Sequence, residues 1–426
     1  MSGDQGPALL APARTAPALA RCTALPIDEF AQTVWSARPL LTPGHDLTGS
    51  FDDLFSADAV DELVSRRGLR TPFLRMAKNG AVLPASAYTR PGGSGATISD
   101  QVADDRVLAL LSDGATLVLQ ALHRTWPPLV SFGAALAAEL GHPIQINAYI
   151  TPAQNQGFSA HYDTHDVFVL QVAGTKQWTI HQPVLDDPLP DQPWDQHKAA
   201  VSQRAAEPPL IDALLKPGDA LYLPRGYLHS AVAQGELSIH LTVGIHPITS
   251  YDLVRDVLQH ARNDRELRRS LPMGVDLADP AVLADAVRVA AGRLATVAAG
   301  AADQQLDDIA RRVGADLVRN TRPQPVAPLA QLAAVEAVTA EMPLVIRPDL
   351  RAELRSAGDK VTLSFLSTGV TWPGYCGDAL ARVVTGNVFT AAELPGLSED
   401  DRLLLVRRLL REGIVVPAEA AVAARG

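Results

Sequence analysis

Apolar positions along the chain fall into three textures. Up to residue 141 they recur mostly at helical spacing. Ile27–Leu41 is expected to be a helix with Phe30 and Trp35 on its apolar side and Pro39 near its end. Ala57–Arg67 reads as a short helix entered through Ser56, a residue type that caps helix N-termini. Val102–Ser112 and Trp126–Gly141 read as two more, with a strand at Thr116–Leu122 between them. From Gln145 to Ile248 the period shortens to two. Gln145–Ile150, Val167–Val172, Gln177–His181, Ala220–Leu223 and Ser238–Ile245 are short alternating or wholly apolar runs. Turns such as Ala173-Gly174-Thr175 and Pro217-Gly218-Asp219 separate them, a spacing that argues for a sandwich or barrel. One long irregular insert, Gln182–Pro209, interrupts this segment; loops of that length in compact domains are usually functional or disordered.

Beyond Tyr251 the helical period returns. Leu253, Val254, Val257 and Leu258 form one stripe and Val282–Val297 carries another, until a Pro-rich joint at Thr321–Pro328. A strand pair is expected around Leu344–Ile346 and Val361–Phe365. Ala391–Glu393, Glu399–Glu412 and Ile414–Val416 then give helix, helix, strand, the outline of a winged helix. The first twenty residues (MSGDQGPALLAPARTAPALA) have an early acid and repeated prolines where a secretory signal has a basic and then an apolar segment, so they read as a disordered leader.

Composition narrows the class. The 426 residues are 47% hydrophobic and 20% charged, ordinary for a chain with sizeable cores. Two distant cysteines exclude a disulfide scaffold and fit a reducing compartment. No apolar run approaches the roughly 18 residues of a membrane span. The net charge of −10 disfavours general binding to nucleic acid or anionic membrane and suits a basic partner.

Seven of the eleven histidines lie between His161 and His246, inside the strand-rich segment. In His161-Tyr162-Asp163 an imidazole and a carboxylate stand at i and i+2, on one face of a strand. A second histidine, His229, ends the run Leu221-Tyr222-Leu223-Pro224-Arg225-Gly226-Tyr227-Leu228-His229, whose glycine turn delivers it at a strand mouth. Two histidines and one carboxylate on one face of a divalent ion leave three positions open, the arrangement of non-haem Fe(II) enzymes. An isolated His-x-Asp is common by chance; the strand-rich context gives it weight.

Around these residues the chain resembles the JmjC ribosomal oxygenases, cupin-like Fe(II)/2-oxoglutarate enzymes. The resemblance rests on Asn147-Ala148-Tyr149, His161-Tyr162-Asp163, Asp166-Val167-Phe168-Val169-Leu170-Gln171, Gly174, Lys176 and Trp178. It continues through Pro217-Gly218-Asp219, Leu221-Tyr222-Leu223-Pro224, His229 and Ser238–Ile245. Phe30, Trp35 and Pro39-Leu40 are similar to the family's N-terminal element.

The resemblance implies an α+β fold with a double-stranded β-helix (jelly-roll) core. After a leader at 1–22, it places the catalytic domain and its N-terminal helices at 23–250, a helical dimerisation domain at 251–340 and a winged-helix-like domain at 341–426. It implies iron ligands His161, Asp163 and His229. Lys176 would hold the far carboxylate of 2-oxoglutarate, with Asn147 and Tyr149 as neutral donors and Thr242 as a further hydroxyl. The implied reaction consumes O₂ and 2-oxoglutarate and hydroxylates an unactivated C–H, in the cytoplasm, on an arginyl or histidyl side chain of a ribosomal protein.

Another peptide, such as a biosynthetic precursor, or a free amino acid would suit the same chemistry. A degenerate cupin that only binds a partner is the reading outside enzymology. Thr164-His165 after Asp163 and the Gln182–Pro209 insert depart from the family pattern. His240 and His246 read as structural, His181 and His197 as strand-end or loop residues, and Trp178 as core. Asp186, Asp187, Asp191 and Asp195 of the insert could complement a basic peptide. The acids that flank Arg402, Arg407, Arg408 and Arg411 argue for a salt-bridged helix face, and nucleic-acid binding is not expected.

Overall fold

The computed structural model describes residues 17–423 except 79, 96, 154, 156–158, 275, 301–302, 321 and 367. The expected leader lies outside them as far as residue 16. Its last residues are packed: Leu19–Arg21 forms a 3₁₀ turn, and Ala18, Leu19 and Cys22 are buried. The carboxylate of Glu139 accepts from the amides of Ala18 and Leu19 at 3.0 and 2.7 Å, which ties this segment down.

Two compact units divide the chain, the second spanning Ile248–Ala423. The first is built on one nine-stranded antiparallel sheet. Its strands are β1 (Leu40–Thr42), β2 (Leu74–Lys78), β3 (Ala81–Val82), β4 (Thr116–Leu119), β5 (Ile144–Thr151), β6 (Asp166–His181), β7 (Ile211–Leu215), β8 (Ala220–Leu223) and β9 (Leu228–Ile245). Their order is β1-β8-β6-β9-β5-β4-β2-β3, with β7 added to β6.

Two long strands make this a double-stranded β-helix. Residues 166–173 of β6 pair with 239–245 of β9 and with β8. Residues 175–181 pair with 228–234 of β9, and 176–180 with β7. Each long strand therefore serves both layers. Ala173-Gly174-Thr175, expected to be a turn between two strands, is a bend within one continuous ladder, because a bulge between Gln234 and Ile239 absorbs the mismatch opposite it. Gly174 has φ +61° and a Cβ there would collide with the Leu237 carbonyl. The Gln171 amide pins the bend by donating to Ala173 O, Gly174 O and Ser238 Oγ at 2.9–3.0 Å.

The N-terminal elements cover this core. The Ile27–Leu41 helix stops at Thr33, and Leu40 already belongs to β1, paired with Tyr222. Phe30 then packs against Phe168 and Tyr222 with ring centroids 5.8 and 5.1 Å apart. Three expected helices run Ala57–Arg66, Asp104–Ser112 and Pro127–Leu140, and the strand expected to reach Leu122 stops at Leu119, before a short helix at Leu122–Thr125; the Ser56 hydroxyl accepts from Ala59 N, and Gly141 ends Pro127–Leu140 at φ +74°. The insert is not irregular throughout: Trp194–His197 is a 3₁₀ turn and Lys198–Ala205 a helix.

In the second unit the described helices are Ser250–Ala261, Pro280–Ala299, Asp303–Asn320 and Pro328–Ala337, then Gly377–Val384, Glu399–Arg411 and Ala418–Ala423. Pro280–Ala299 buries none of its residues, and Leu253, Val254 and Leu258 of the preceding stripe are exposed. Leu344–Ile346 pairs with Val415–Pro417, whereas Val361–Phe365, its expected partner, lies in a separate three-stranded meander with Ala352–Ala357 and Thr368–Pro373. Gln331 donates to Leu410 O and Val415 O at 2.9 and 2.7 Å, which joins the last helix of the helical region to the C-terminal elements.

Among the described residues no helix is long and apolar enough to cross a membrane.

Gly174→Ala combines a left-handed backbone with a direct clash. It is expected to lower the unfolding free energy of the barrel by about 1–3 kcal/mol or more, read as an earlier urea midpoint by near-UV circular dichroism.

Candidate metal centre

The inner face of the barrel follows from register. Tyr149 faces His240 and Thr242 faces Asn147 across β5 and β9. Ala231 faces Trp178 and Ala233 faces Lys176 across β9 and β6. Cross-strand partners share a face, and Tyr149, His240, Thr242, Ala231, Trp178 and Lys176 of these pairs line one cavity of about 220 Å³ together with His161, Asp163 and His229.

His161 is not part of a long strand. It forms an isolated antiparallel bridge with His229, and the two exchange both backbone hydrogen bonds at 3.2 and 2.8 Å. This pairing brings the rings to 4.4 Å centroid separation. Asp163 follows at i+2, its carbonyl accepting from Gly226 N at 3.0 Å, and its carboxylate stands 3.8 Å from His229 Nε2. One ligand atom from each of the three lies within 4.8 Å of the others, so one ion could touch all three after small side-chain adjustment.

Each histidine uses Nδ1 on the carbonyl two residues before it, Ser159 O at 2.7 Å and Tyr227 O at 3.1 Å. That contact fixes the tautomer and leaves Nε2 as the lone-pair donor. Burial, with His161 alongside, pushes His229 down to about 4, so its lone pair is free at neutral pH. Burial pulls Asp163 upward, but His165, His229, His161 and Arg75 outweigh it and hold the carboxyl below its ordinary value. This donor set of two neutral imidazoles and one carboxylate suits a divalent first-row ion.

The turn that delivers His229 is anchored from below. Asp166 is wholly buried and accepts from Tyr222 OH at 2.6 Å, Arg225 N at 3.0 Å and Ser36 Oγ at 3.1 Å. The Arg225 guanidinium lies 3.6 Å from Asp166 and 3.1 Å from Asp187 of the insert. Asp187 is therefore engaged within the chain, while Asp186, Asp191 and Asp195 are exposed. A Cβ on Gly226 would lie 2.6 Å from the Leu185 carbonyl, so the insert closes directly on this turn.

Lys176 is 4% exposed, and its one side-chain hydrogen bond among the described residues goes to Thr151 Oγ1 at 3.2 Å. No ion pair among those residues engages it, and burial brings its ammonium down to about 7. Tyr149 and Thr242 line the same cavity. Asn147 does not; its Oδ1 accepts from Ala121 N at 3.0 Å and Gln145 Nε2 at 3.2 Å. His240, which alternation alone assigns to structure, lines the cavity too. It stacks on Tyr149 at 5.1 Å and meets Trp178 edge-on at 5.5 Å. His165 stacks on His246 at 5.0 Å beside Gly244.

Sequence reasoning missed several wall residues, among them Arg75 and Trp194. Arg75 comes from β2, where Leu74 and Met76 alternate with it; that period-two signal is readable but short. Trp194 comes from the insert, where no periodicity points to it.

A JmjC domain family model matches residues 133–253. The Culex quinquefasciatus bifunctional lysine-specific demethylase and histidyl-hydroxylase NO66 is 28% identical over 262 residues, 58% of this chain and 37% of that protein. Rat ribosomal oxygenase 1 (Rattus norvegicus) is 29% identical, covering 58% of this chain and 41% of its own. Mouse ribosomal oxygenase 2 (Mus musculus) is 36% identical over 38% and 35%. The matches thus span about two-fifths or less of these relatives' length. Among solved structures, the Escherichia coli ribosomal oxygenase YcfD matches with a TM-score of 0.51 at 18% identity, over 93% of this chain and 99% of that one, a likeness of fold.

With its ammonium at about 7 in the native state and near 10.4 when unfolded, Lys176 weighs on stability below pH 7, and the penalty is relieved as pH rises from 7 towards 10. The unfolding free energy of the ligand-free chain is expected to climb across that window. Lys176→Met should lose the climb and be the more stable protein at pH 7, by on the order of 1 kcal/mol or more. Urea unfolding at a series of pH values checks both.

Proposed function

Since the chain belongs to the JmjC-domain ribosomal oxygenases, we propose that it is an Fe(II)- and 2-oxoglutarate-dependent hydroxylase of a protein side chain. An arginyl or histidyl residue of a basic ribosomal protein is the substrate in this reading. The observation that carries it is Lys176, a buried cation with no acidic partner among the described residues, in the same cavity as His161, Asp163 and His229. A buried cation of this kind is costly unless an anion joins it, and a dicarboxylate chelating an ion at the triad would bring one. The same residue argues against a barrel that only binds a partner.

The residues divide the work. His161, Asp163 and His229 hold the iron through Nε2, a carboxylate oxygen and Nε2. Lys176 holds the far carboxylate of 2-oxoglutarate, and becomes fully protonated as it does so; Thr151 orients the ammonium, and Tyr149 and Thr242 offer hydroxyls along the co-substrate. Asn147 acts indirectly, fixing the backbone at Ala121 beside this wall. Val167, Val169, Trp178 and Leu223 exclude water. The iron and 2-oxoglutarate, once bound, supply O₂-dependent decarboxylation to succinate coupled to hydroxylation of a substrate C–H.

Helices Ser250–Ala261 and Pro280–Ala299 serve, in our reading, as the face on which a second copy packs. Their exposed Leu253, Val254, Leu258, Val282, Val287 and Val289 support a homodimer. The pairing of Leu344–Ile346 with Val415–Pro417 beside helix Glu399–Arg411 supports a winged helix. Arg408 is paired with Glu412 at 2.7 Å and three acids open the helix, which speaks against nucleic acid as its ligand. A ribosomal substrate would place the protein in the cytoplasm.

His161→Ala, Asp163→Ala and His229→Ala are each expected to abolish succinate formation and to weaken iron binding by at least about tenfold, with the circular dichroism spectrum retained. The host's ribosomal proteins, incubated with the iron-loaded chain, 2-oxoglutarate and air, should gain one oxygen by mass spectrometry. Full 2-oxoglutarate-dependent activity in all three variants would refute the assignment. Val287→Glu should turn a dimer into a monomer in multi-angle light scattering.

A further inference from the structure

The insert Gln182–Pro209 packs against the backs of the candidate metal ligands. Tyr162, which stands between His161 and Asp163, is buried, and its hydroxyl donates to Gln192 O of the insert at 2.9 Å. Leu228, next to His229, is buried as well. These two residues form a small apolar cluster with Val201 of the insert, and Val184 and Trp194 pack on it. Trp194 also reaches the cavity, with its ring centroid 6.3 Å from that of His161. Both ligand-bearing segments therefore share a core with a segment that offers no ligand of its own.

Arg225 and Gly226 complete the connection. The Gly226 amide donates to Asp163 O at 3.0 Å, while a Cβ at Gly226 would lie 2.6 Å from Leu185 O and 2.9 Å from Pro188. The Arg225 guanidinium bridges the buried Asp166 at 3.6 Å and Asp187 of the insert at 3.1 Å. An ion pair at the surface contributes little, and Asp187 is 59% exposed. The guanidinium is only 10% exposed, however, and its Nε has no hydrogen-bond partner among the described residues. Moving Asp187 away would leave a nearly buried cation with less to answer its charge. Asp187 reaches it from a left-handed backbone at φ +47°, a conformation that persists where the surroundings fix it.

We propose that Arg225 is a positioning residue for the metal centre: by bridging Asp166 and Asp187 it locks the insert to the turn that presents His229, and the ligands hold their geometry only while the insert is seated. The inference rests on the reading of His161, Asp163 and His229 as a metal centre, and goes beyond it by making the insert part of that centre's support. Metal binding and seating of the insert are then linked equilibria, and each favours the other by the same factor.

The test reads both sides of this linkage on the full chain, with Co(II) as the probe. Lys198 and Arg204 lie in the helix of the insert, so trypsin cuts there as that segment opens. Arg66 and Arg67, at the exposed end of helix Ala57–Arg66, serve as the reference. Co(II) is expected to slow cleavage at Lys198 and Arg204, relative to the reference, by about threefold or more. Arg225→Met should lose that protection and bind Co(II) about tenfold more weakly in calorimetry. Asp187→Gly removes the carboxylate at the surface, keeps the left-handed backbone and leaves Asp166 its partners, so it tests the lock even where Arg225→Met fails to fold. It should be cut faster in the insert and bind Co(II) about threefold more weakly. Asp187→Asn, which keeps an acceptor and tolerates that backbone, should restore most of both. Insert cleavage in the unaltered chain that Co(II) does not slow would overturn the proposal alone. So would an Asp187→Gly chain with a freed insert and unchanged Co(II) affinity. An unaltered chain that binds no Co(II) would overturn the metal reading, and the proposal with it.

Discussion

The ladder between Asp166–His181 and Leu228–Ile245 is the constraint on which the interior depends. At one end it sets Ala233 opposite Lys176, and at the other Thr242 opposite Val169. Side chains alternate along both strands, so a slip of one residue would turn Lys176 outwards and bring an outward-facing residue into the barrel. The bend at Gly174 and the bulge after Gln234 allow one register to serve two layers. Residues more than fifty positions apart thereby share a wall of a 220 Å³ space.

Around that ladder, polar groups are satisfied where they support the site and sparsely matched where they face the cavity. Asp166 has three hydrogen-bond donors and the Arg225 guanidinium nearby, and the turn it holds is the one that presents His229. Lys176 has one hydroxyl, and the buried nitrogens Trp178 Nε1 and His240 Nδ1 have no hydrogen-bond partner among the described residues. A buried polar group without a partner costs free energy in every folded molecule. Placing several of them around one space is sensible when that space is meant to be filled by something polar.

Much of this was readable from residue order. Period-two runs announced the barrel, and His161-Tyr162-Asp163 with a distant His229 announced the cluster that the backbone bridge brings together. Three things were hidden for physical reasons. Gly174 carries the same signal whether a strand ends or bends, and only the bulge opposite decides which. The first half of Leu228–Ile245 passes through Gln234, Gly235 and Glu236 at an exposed stretch, so its pairing left no apolar alternation to read. Arg75 sits on a five-residue strand outside the segment that carries the family motifs, and its part in the cavity exists only through two intervening strands.

Pro280–Ala299 poses a different physical question from the barrel. Twenty residues of helix bury no side chain, although Val282, Leu283, Val287 and Val289 would gain from burial. Most helices in proteins owe their stability to a packed apolar face more than to intrinsic propensity. If that face is supplied by another molecule, the order of this segment becomes a matter of mass action. Dilution would then loosen it as urea loosens the barrel, and a melting curve would depend on protein concentration in one part of the molecule alone.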